Sequence, residues 1–200
     1  MSNIALCAAP HLRVMLCGTA LLLLSCGERP PREPGAATDT GPPAAPAQAD
    51  SVAEERATIH DASGRELGTL TIRGTESGIA ISGALHGLPP GTHGIHLHDV
   101  GRCEAPFESA GNHWNPTNRQ HGSQNPGGPH FGDLPNLTVT GDSSASVQAT
   151  TPGGALRGVN ALLDQDGAAV VIHAGPDDEK TDPSGNSGGR LACGVISGGA

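Results

Sequence analysis

Glycine and proline interrupt this sequence so often that no long regular element fits: thirty Gly and seventeen Pro are spread over 200 residues. Between them lie short runs of Val, Ile, Leu, Thr and Ala, the residues that suit a pleated, half-buried surface. Candidate strands are Ala57–His60, Glu66–Ile72, Gly78–Leu85, Thr92–His98, Leu137–Val139, Ala145–Gln148, Val159–Leu163, Ala168–His173 and Ala192–Ile196. Turn signals such as Ser63-Gly64 and Leu88-Pro89-Pro90-Gly91 separate them, and no segment carries a helical apolar stripe. The pattern predicts an antiparallel sandwich or barrel. With two Phe, one Trp and no Tyr, its core must be built from aliphatic side chains.

The first half-hundred residues read differently. Arg13 precedes an apolar run over residues 14–24, which is too short to span a bilayer and ends at Ser25-Cys26. A basic residue, an apolar stretch and a small residue form a secretory signal. Leu23-Leu24-Ser25-Cys26 resembles the bacterial lipobox, which implies a signal peptide over residues 1–25 and a lipid on Cys26. Residues 26–51 are rich in Pro and Ala without periodicity and read as a disordered tether, leaving 52–200 as the folded domain. No Asp follows Cys26, so the expected location is the outer membrane, facing the periplasm. Cys7 and Cys17 would leave with the signal, so Cys103 and Cys193 remain as an even pair in an oxidising compartment. Without residues 1–25, ten basic side chains face twenty acidic ones, a balance of −10, which argues against a nucleic-acid partner.

Two long segments, 99–135 and 174–190, lack apolar periodicity, and loops of that length in a compact domain are usually functional. Histidines supply the function. Of ten, His11, His60, His86 and His93 need no special role. His96 and His98 stand two apart on a strand and so share one face, while Ile95 and Leu97 point into the core. His173, at a strand end, can join them. In the first loop, His113, His121, His130 and Asp133 supply three imidazoles and one carboxylate, a complete tetrahedral set for a structural zinc. Metal binding would supply the ordering free energy that such a glycine-rich loop lacks.

The motifs Gly94-Ile95-His96-Leu97-His98, Gly111-Asn112-His113-Trp114-Asn115-Pro116, Gln120-His121-Gly122, His130-Phe131-Gly132-Asp133-Leu134-Pro135-Asn136-Leu137 and Gly188-Gly189-Arg190-Leu191-Ala192-Cys193-Gly194-Val195-Ile196 occur in this order over residues 55–198. Together they resemble the copper/zinc superoxide dismutase family, and the N-terminal features resemble its secreted bacterial lipoproteins. The resemblance implies an all-β, eight-stranded antiparallel Greek-key barrel with two long functional loops. It implies dismutation of two superoxide anions and two protons to dioxygen and hydrogen peroxide, through a Cu(II)/Cu(I) cycle with zinc as structural ion. By the same resemblance His96, His98, His113 and His173 bind copper, and His113, His121, His130 and Asp133 bind zinc, with His113 shared. Arg190 would dock the anion; attraction for it must be local, and Lys180 and Arg190 are the basic residues between His173 and Cys193. Asp177 would link His96 to His121, and Cys103 would pair with Cys193. Implied partners are superoxide and the membrane, with a homodimer possible. The sequence departs from the family in Trp114, often Phe there, and in a short segment from His173 to Arg190. The alternative function is a non-catalytic copper/zinc-binding lipoprotein that buffers or delivers metal on the same fold. An adhesion sandwich would leave six ordered histidines unexplained, and a copper-only enzyme would leave His121, His130 and Asp133 without a task.

Overall fold

The computed structural model describes residues 54–159 and 161–198. The signal peptide, Cys26 and the tether all lie outside the described residues. Nine strands follow in chain order: β1 (Glu54–Asp61), β2 (Glu66–Thr75), β3 (Gly78–His86), β4 (Gly91–His93), β5 (Ile95–His98), β6 (Leu137–Val139), β7 (Ser144–Thr150), β8 (Ala168–His173) and β9 (Arg190–Gly198). A single turn of 3-10 helix, Glu108–Ala110, is the only helical piece among the described residues.

All named pairings are antiparallel. Seven strands form one sheet in the order β5-β8-β9-β1-β2-β3-β7, and β4 pairs with β6. The predicted strand from Thr92 to His98 is broken at Gly94, so its first half pairs with β6 and its second with β8. Counted as one bent strand, β4 and β5 close the sheet into the expected eight-stranded Greek-key barrel. Gly94 sits at the bend because a Cβ there would lie 3.0 Å from Ser187 Cβ and 3.1 Å from the His96 ring.

Alternation places the core. Ala57 and Ile59 of β1, Leu70 and Ile72 of β2, Ile79 and Ile81 of β3, and Ala168, Val170 and Ile172 of β8 all point into the barrel. At about 25 cal/mol per Å² of apolar surface removed from water, these aliphatic side chains carry the main favourable free energy of folding. Strand β8 is buried on both faces. Its other side, Ala169 and Val171, packs with Phe107, Ala110 and Cys193 beneath the first long loop. Burial on both faces explains its unbroken apolar reading. The β1–β2 turn is held by the Asp61 carboxylate, which accepts from the Ser63 and Arg65 backbone N–H groups at 2.9 and 3.1 Å. Gly64 supplies the left-handed conformation there, at φ 82°.

One expected strand is absent. Val159–Leu163 forms no ladder; a lone parallel bridge joins Ala155 to Ala161. Leu156 and Leu162 are buried in the core while Val159 is 87% exposed. The segment instead folds back on the stretch before it, Leu162 N–H donating to Ala155 O at 2.8 Å and Leu163 N–H to Leu156 O at 3.0 Å, so its leucine side chains fill the core rather than extend the sheet.

The long loop 99–136 is tied to the outer edge of β5. Leu97 N–H donates to Gly132 O at 2.9 Å, Trp114 N–H to Leu97 O at 2.8 Å, and Gly132 N–H to Trp114 O at 2.8 Å. A Cβ on Gly132 would meet Leu97 O and lie 2.9 Å from Trp114 N, both backbone atoms. Gly132→Ala is therefore expected to cost ~1–3 kcal/mol in urea unfolding of the metal-free protein. Gly141→Ala, which meets nothing within 4 Å, should leave the midpoint unchanged.

Candidate metal centre

The hydrogen bonds between β5 and the loop set the register of the site. Isolated bridges pair His96 with Asp133 and His98 with His113, so both ends of the loop's ligand set lie beside the two strand histidines. His173 closes β8, the neighbour of β5, and a register shift at Ile172/His173 brings Arg190 opposite His173. Sequence logic puts His96 and His98 on one face, and the structure adds that this face is covered. Both rings are completely buried beneath the loops.

Two clusters result. In the first, His96 Nδ1, His98 Nε2, His113 Nε2 and His173 Nε2 are buried and have no hydrogen-bond partner. They are four of the five such atoms among the described residues; the fifth is Glu55 Oε2. One ligand atom from each of these four residues lies within 4.8 Å of the others. A buried polar atom without a partner is costly, and four imidazole nitrogens aimed at one point fit a copper ion. In the second cluster, Nδ1 of His113, His121 and His130 lies 2.9, 3.0 and 3.2 Å from one oxygen, Asp133 Oδ1. This is the closed three-nitrogen, one-oxygen set that suits structural zinc. His113 belongs to both clusters, one ring nitrogen to each.

The remaining ring nitrogens are spent on orientation. His96 Nε2–H and His121 Nε2–H donate to the two oxygens of Asp177 at 2.7 and 3.0 Å. His98 Nδ1–H donates to Gly111 O at 3.0 Å and His173 Nδ1–H to Gly188 O at 3.2 Å. Such partners fix ring orientation and raise ligand basicity. Asp177 is itself clamped by Asn136, whose amide group donates to Asp177 O and accepts from Asp177 N–H, each at 2.8 Å. Asp133 Oδ2 accepts backbone N–H bonds from Gly122 and His130 at 2.8 and 2.9 Å.

Burial pushes His96 down to about 3 and His173 down to about 4, and takes His98 well below its ordinary value. These rings are held neutral, the form that binds metal. Burial also acts against the charge of Asp133, but hydrogen bonds from His113, His121 and His130 overcome it and hold the carboxyl well below the usual range. At His121 burial is opposed by Asp133 and Asp177, which together raise it to about 9 in the metal-free chain.

A cavity of about 670 Å³ opens over the first cluster, and His113 and His173 reach its floor beside Arg190. Arg190 is not a free surface cation: its side chain is largely buried. Its Nη1–H donates to Phe107 O at 2.6 Å and its Nη2–H to Gly111 O at 2.7 Å. The loop carrying those carbonyls is joined to β9 by the Cys103–Cys193 disulfide, with Cα atoms 5.6 Å apart. The bridge closes 90 residues of chain, a loop for which chain-entropy reasoning gives about 4 to 5 kcal/mol as an upper figure.

All seven expected ligands, Asp177 and Arg190 are thus brought together. Lys180 is not: it is exposed and does not line the cavity. Its position in the second loop suggested a share in the local attraction for the anion, but the loop turns it outward. Two contributors escaped the sequence reading. Asn136 lies inside the motif over residues 130–137, where its side chain could have been questioned. Asp182, which accepts from His121 N–H and stands 4.0 Å from His130 Nε2, carried no signal. His93 is structural, its ring held between His173 O and Pro89 O at 2.8 and 2.9 Å.

A closed Greek-key barrel with one imidazole shared between a four-nitrogen cluster and a three-nitrogen, one-carboxylate cluster defines a dinuclear metalloprotein. The profile of the family described as copper/zinc superoxide dismutase (SODC) matches residues 66–196, and the chain belongs to that family. Its cofactors are copper and zinc. It is 40% identical over 153 residues to Cu-Zn superoxide dismutase 1 of Aquifex aeolicus, covering 73% of this chain and 90% of that one. It is 37% identical over 198 residues to the superoxide dismutase-like protein YojM of Bacillus subtilis, covering 94% and 96%. Among solved structures, a mutant of a SOD-like protein from Bacillus subtilis aligns at TM-score 0.68 and 40% identity, over 72% of this chain and 97% of that one. The Cu/Zn superoxide dismutase of Brucella abortus aligns at TM-score 0.59 and 29% identity, over 72% and 99%.

Asp177→Asn removes the charge shared by His96 and His121. It should weaken both copper and zinc by about 10- to 100-fold in chelator competition. A second expectation concerns acid. As pH falls through 6.5, the unfolded chain protonates histidines that the folded, metal-free chain keeps neutral down to about 3 for His96 and about 4 for His173. The unfolded state then binds more protons, so stability falls across that window. His121 is protonated in both states there and adds no slope; its own contribution is lost only as pH rises through about 9. Urea midpoints of the metal-free protein should drop steadily from about pH 7 to about pH 4.

Proposed function

We propose that this protein is a superoxide dismutase that converts two superoxide anions and two protons to dioxygen and hydrogen peroxide. The observation that carries this reading is the double commitment of His113: its Nε2 faces the four-nitrogen cluster and its Nδ1 the Asp133 cluster. Copper supplies the one-electron couple when bound, and zinc, which has no accessible second state, supplies structure.

The chain's own groups do the rest. Arg190 presents a planar cationic guanidinium with five N–H donors. Two are held by Phe107 O and Gly111 O, so the group is fixed in orientation while the others remain for a small anion in the cavity. His113 lines the cavity, and its buried, unpartnered Nε2 can hold a proton for the nascent peroxide, while the contact of Nδ1 with Asp133 keeps the ring from turning. Gly111 O therefore serves two groups at once, the His98 ring and the Arg190 fork. His96 and His98 are fully buried, so solvent does not reach their rings directly.

Metal buffering or delivery is the second reading, and the name of the Bacillus subtilis relative, superoxide dismutase-like, keeps it in view. Pulse radiolysis on the metal-loaded protein separates the two: metal held at both sites without superoxide consumption would establish the buffer. Arg190→Ala should lower the rate by about tenfold or more, the worth of a charge-assisted hydrogen bond, and flatten its salt dependence. Elemental analysis should still find both metals. An unchanged rate would remove Arg190 from the mechanism.

We also place the enzyme on the outer membrane, facing the periplasm, by a lipid on Cys26, on the strength of the apolar run over residues 14–24 and Leu23-Leu24-Ser25-Cys26. Mass spectrometry of the mature N-terminus checks this. A first residue other than Cys26, or an unmodified thiol, would refute it.

A further inference from the structure

The charges around the cavity do not match a simple attractive funnel. Arg190 is the only Lys or Arg among its lining residues, whereas Asp99, Glu108 and Asp164 all line it. Glu108 stands closest to the docking group, with Oε2 3.6 Å from Arg190 Nη2. This side chain is 75% exposed and the arginine 14%, so the contact lies at the mouth.

Glu108 is held there by its backbone. It opens the 3-10 turn Glu108–Ala110, whose preceding residue Phe107 and last residue Ala110 are both buried against β8 and Cys193. Phe107 adopts the left-handed conformation, φ 74°, and its carbonyl is one of the two that grip Arg190. The turn that orients the guanidinium therefore also places a carboxylate beside it. That arrangement is costly for binding anions and needs a reason.

We infer that Glu108 is a specificity-determining residue: its carboxylate competes for Arg190 and makes the channel favour singly charged anions over doubly charged ones. The inference rests on the reading of Arg190 as the anion dock. A fixed negative charge repels an incoming ion in proportion to that ion's charge. Whatever factor it subtracts from the affinity of a monoanion, it subtracts the square of that factor from a dianion at the same position. Superoxide carries one charge, and inorganic phosphate at mildly alkaline pH carries close to two. Glu108 thus trades some attraction for superoxide against a larger exclusion of phosphate-like ions. Being exposed, it acts through a solvent-screened field, so the effect is graded and depends on salt.

The test uses the full chain loaded with copper and zinc. Azide affinity is read from the charge-transfer absorption that appears when azide binds Cu(II), and phosphate affinity from its competition with azide, at low ionic strength. At the few ångströms involved, Glu108→Gln should tighten azide by about threefold and phosphate by about ninefold. Both gains should shrink at high ionic strength. Glu104→Gln, which removes the same charge from the same loop but outside the cavity lining, should change neither. Equal gains for azide and phosphate, or a Glu108→Gln protein indistinguishable from Glu104→Gln, would overturn the inference. Pulse radiolysis on the same samples keeps the two ideas apart. No superoxide consumption with the azide–phosphate pattern intact defeats the catalytic reading alone. Full consumption without that pattern defeats the role of Glu108 alone.

Discussion

The structure depends on one carboxylate oxygen. Asp133 Oδ1 gathers the Nδ1 atoms of His113, His121 and His130, while its other oxygen takes two backbone N–H groups. A loop of nearly forty residues with few apolar side chains cannot order itself by burial, because the entropy lost per residue is of order 1–2 kcal/mol. Convergence of polar donors on a shared point, and on the metal that belongs there, substitutes for a hydrophobic core. The barrel supplies the rigid edge of β5 on which this arrangement is hung.

Coupling between the two loops follows from the same economy of partners. Asp177, in the second loop, spans a histidine of each cluster, and Asn136, at the end of the first, clamps Asp177. Gly111 O, near the 3-10 turn, orients both a histidine ring and the cavity arginine. The disulfide anchors that turn to β9, two strands away from β5. A change at any one of these points is transmitted to the metal cluster through a hydrogen bond or a covalent link, with no loose segment between.

Much of the site was legible in the residues. The seven ligands, Asp177, Arg190 and the cysteine pair stand in motifs whose order resembles one family, and the structure brings all of them together. The strands were legible because alternation has a fixed period. Val159–Leu163 misled because a short apolar run looks the same whether it extends a sheet or fills the core. Lys180 misled because distance along a loop says nothing about which way the loop turns.

What the sequence determined by itself was chemical kind: an all-β chain and a loop set of three imidazoles and a carboxylate beside a pair of strand histidines, which rest on residue identity and short-range spacing. The sharing of His113 and the place of Arg190 were legible only through the family resemblance. The tertiary structure alone decided that His96 and His98 are sealed from solvent, that Arg190 is gripped by two carbonyls, and that Glu108 faces it across the mouth of the cavity. Those facts come from contacts between residues roughly eighty positions apart, in loops without periodicity, where only the closed barrel and the convergence on Asp133 select one path for the chain.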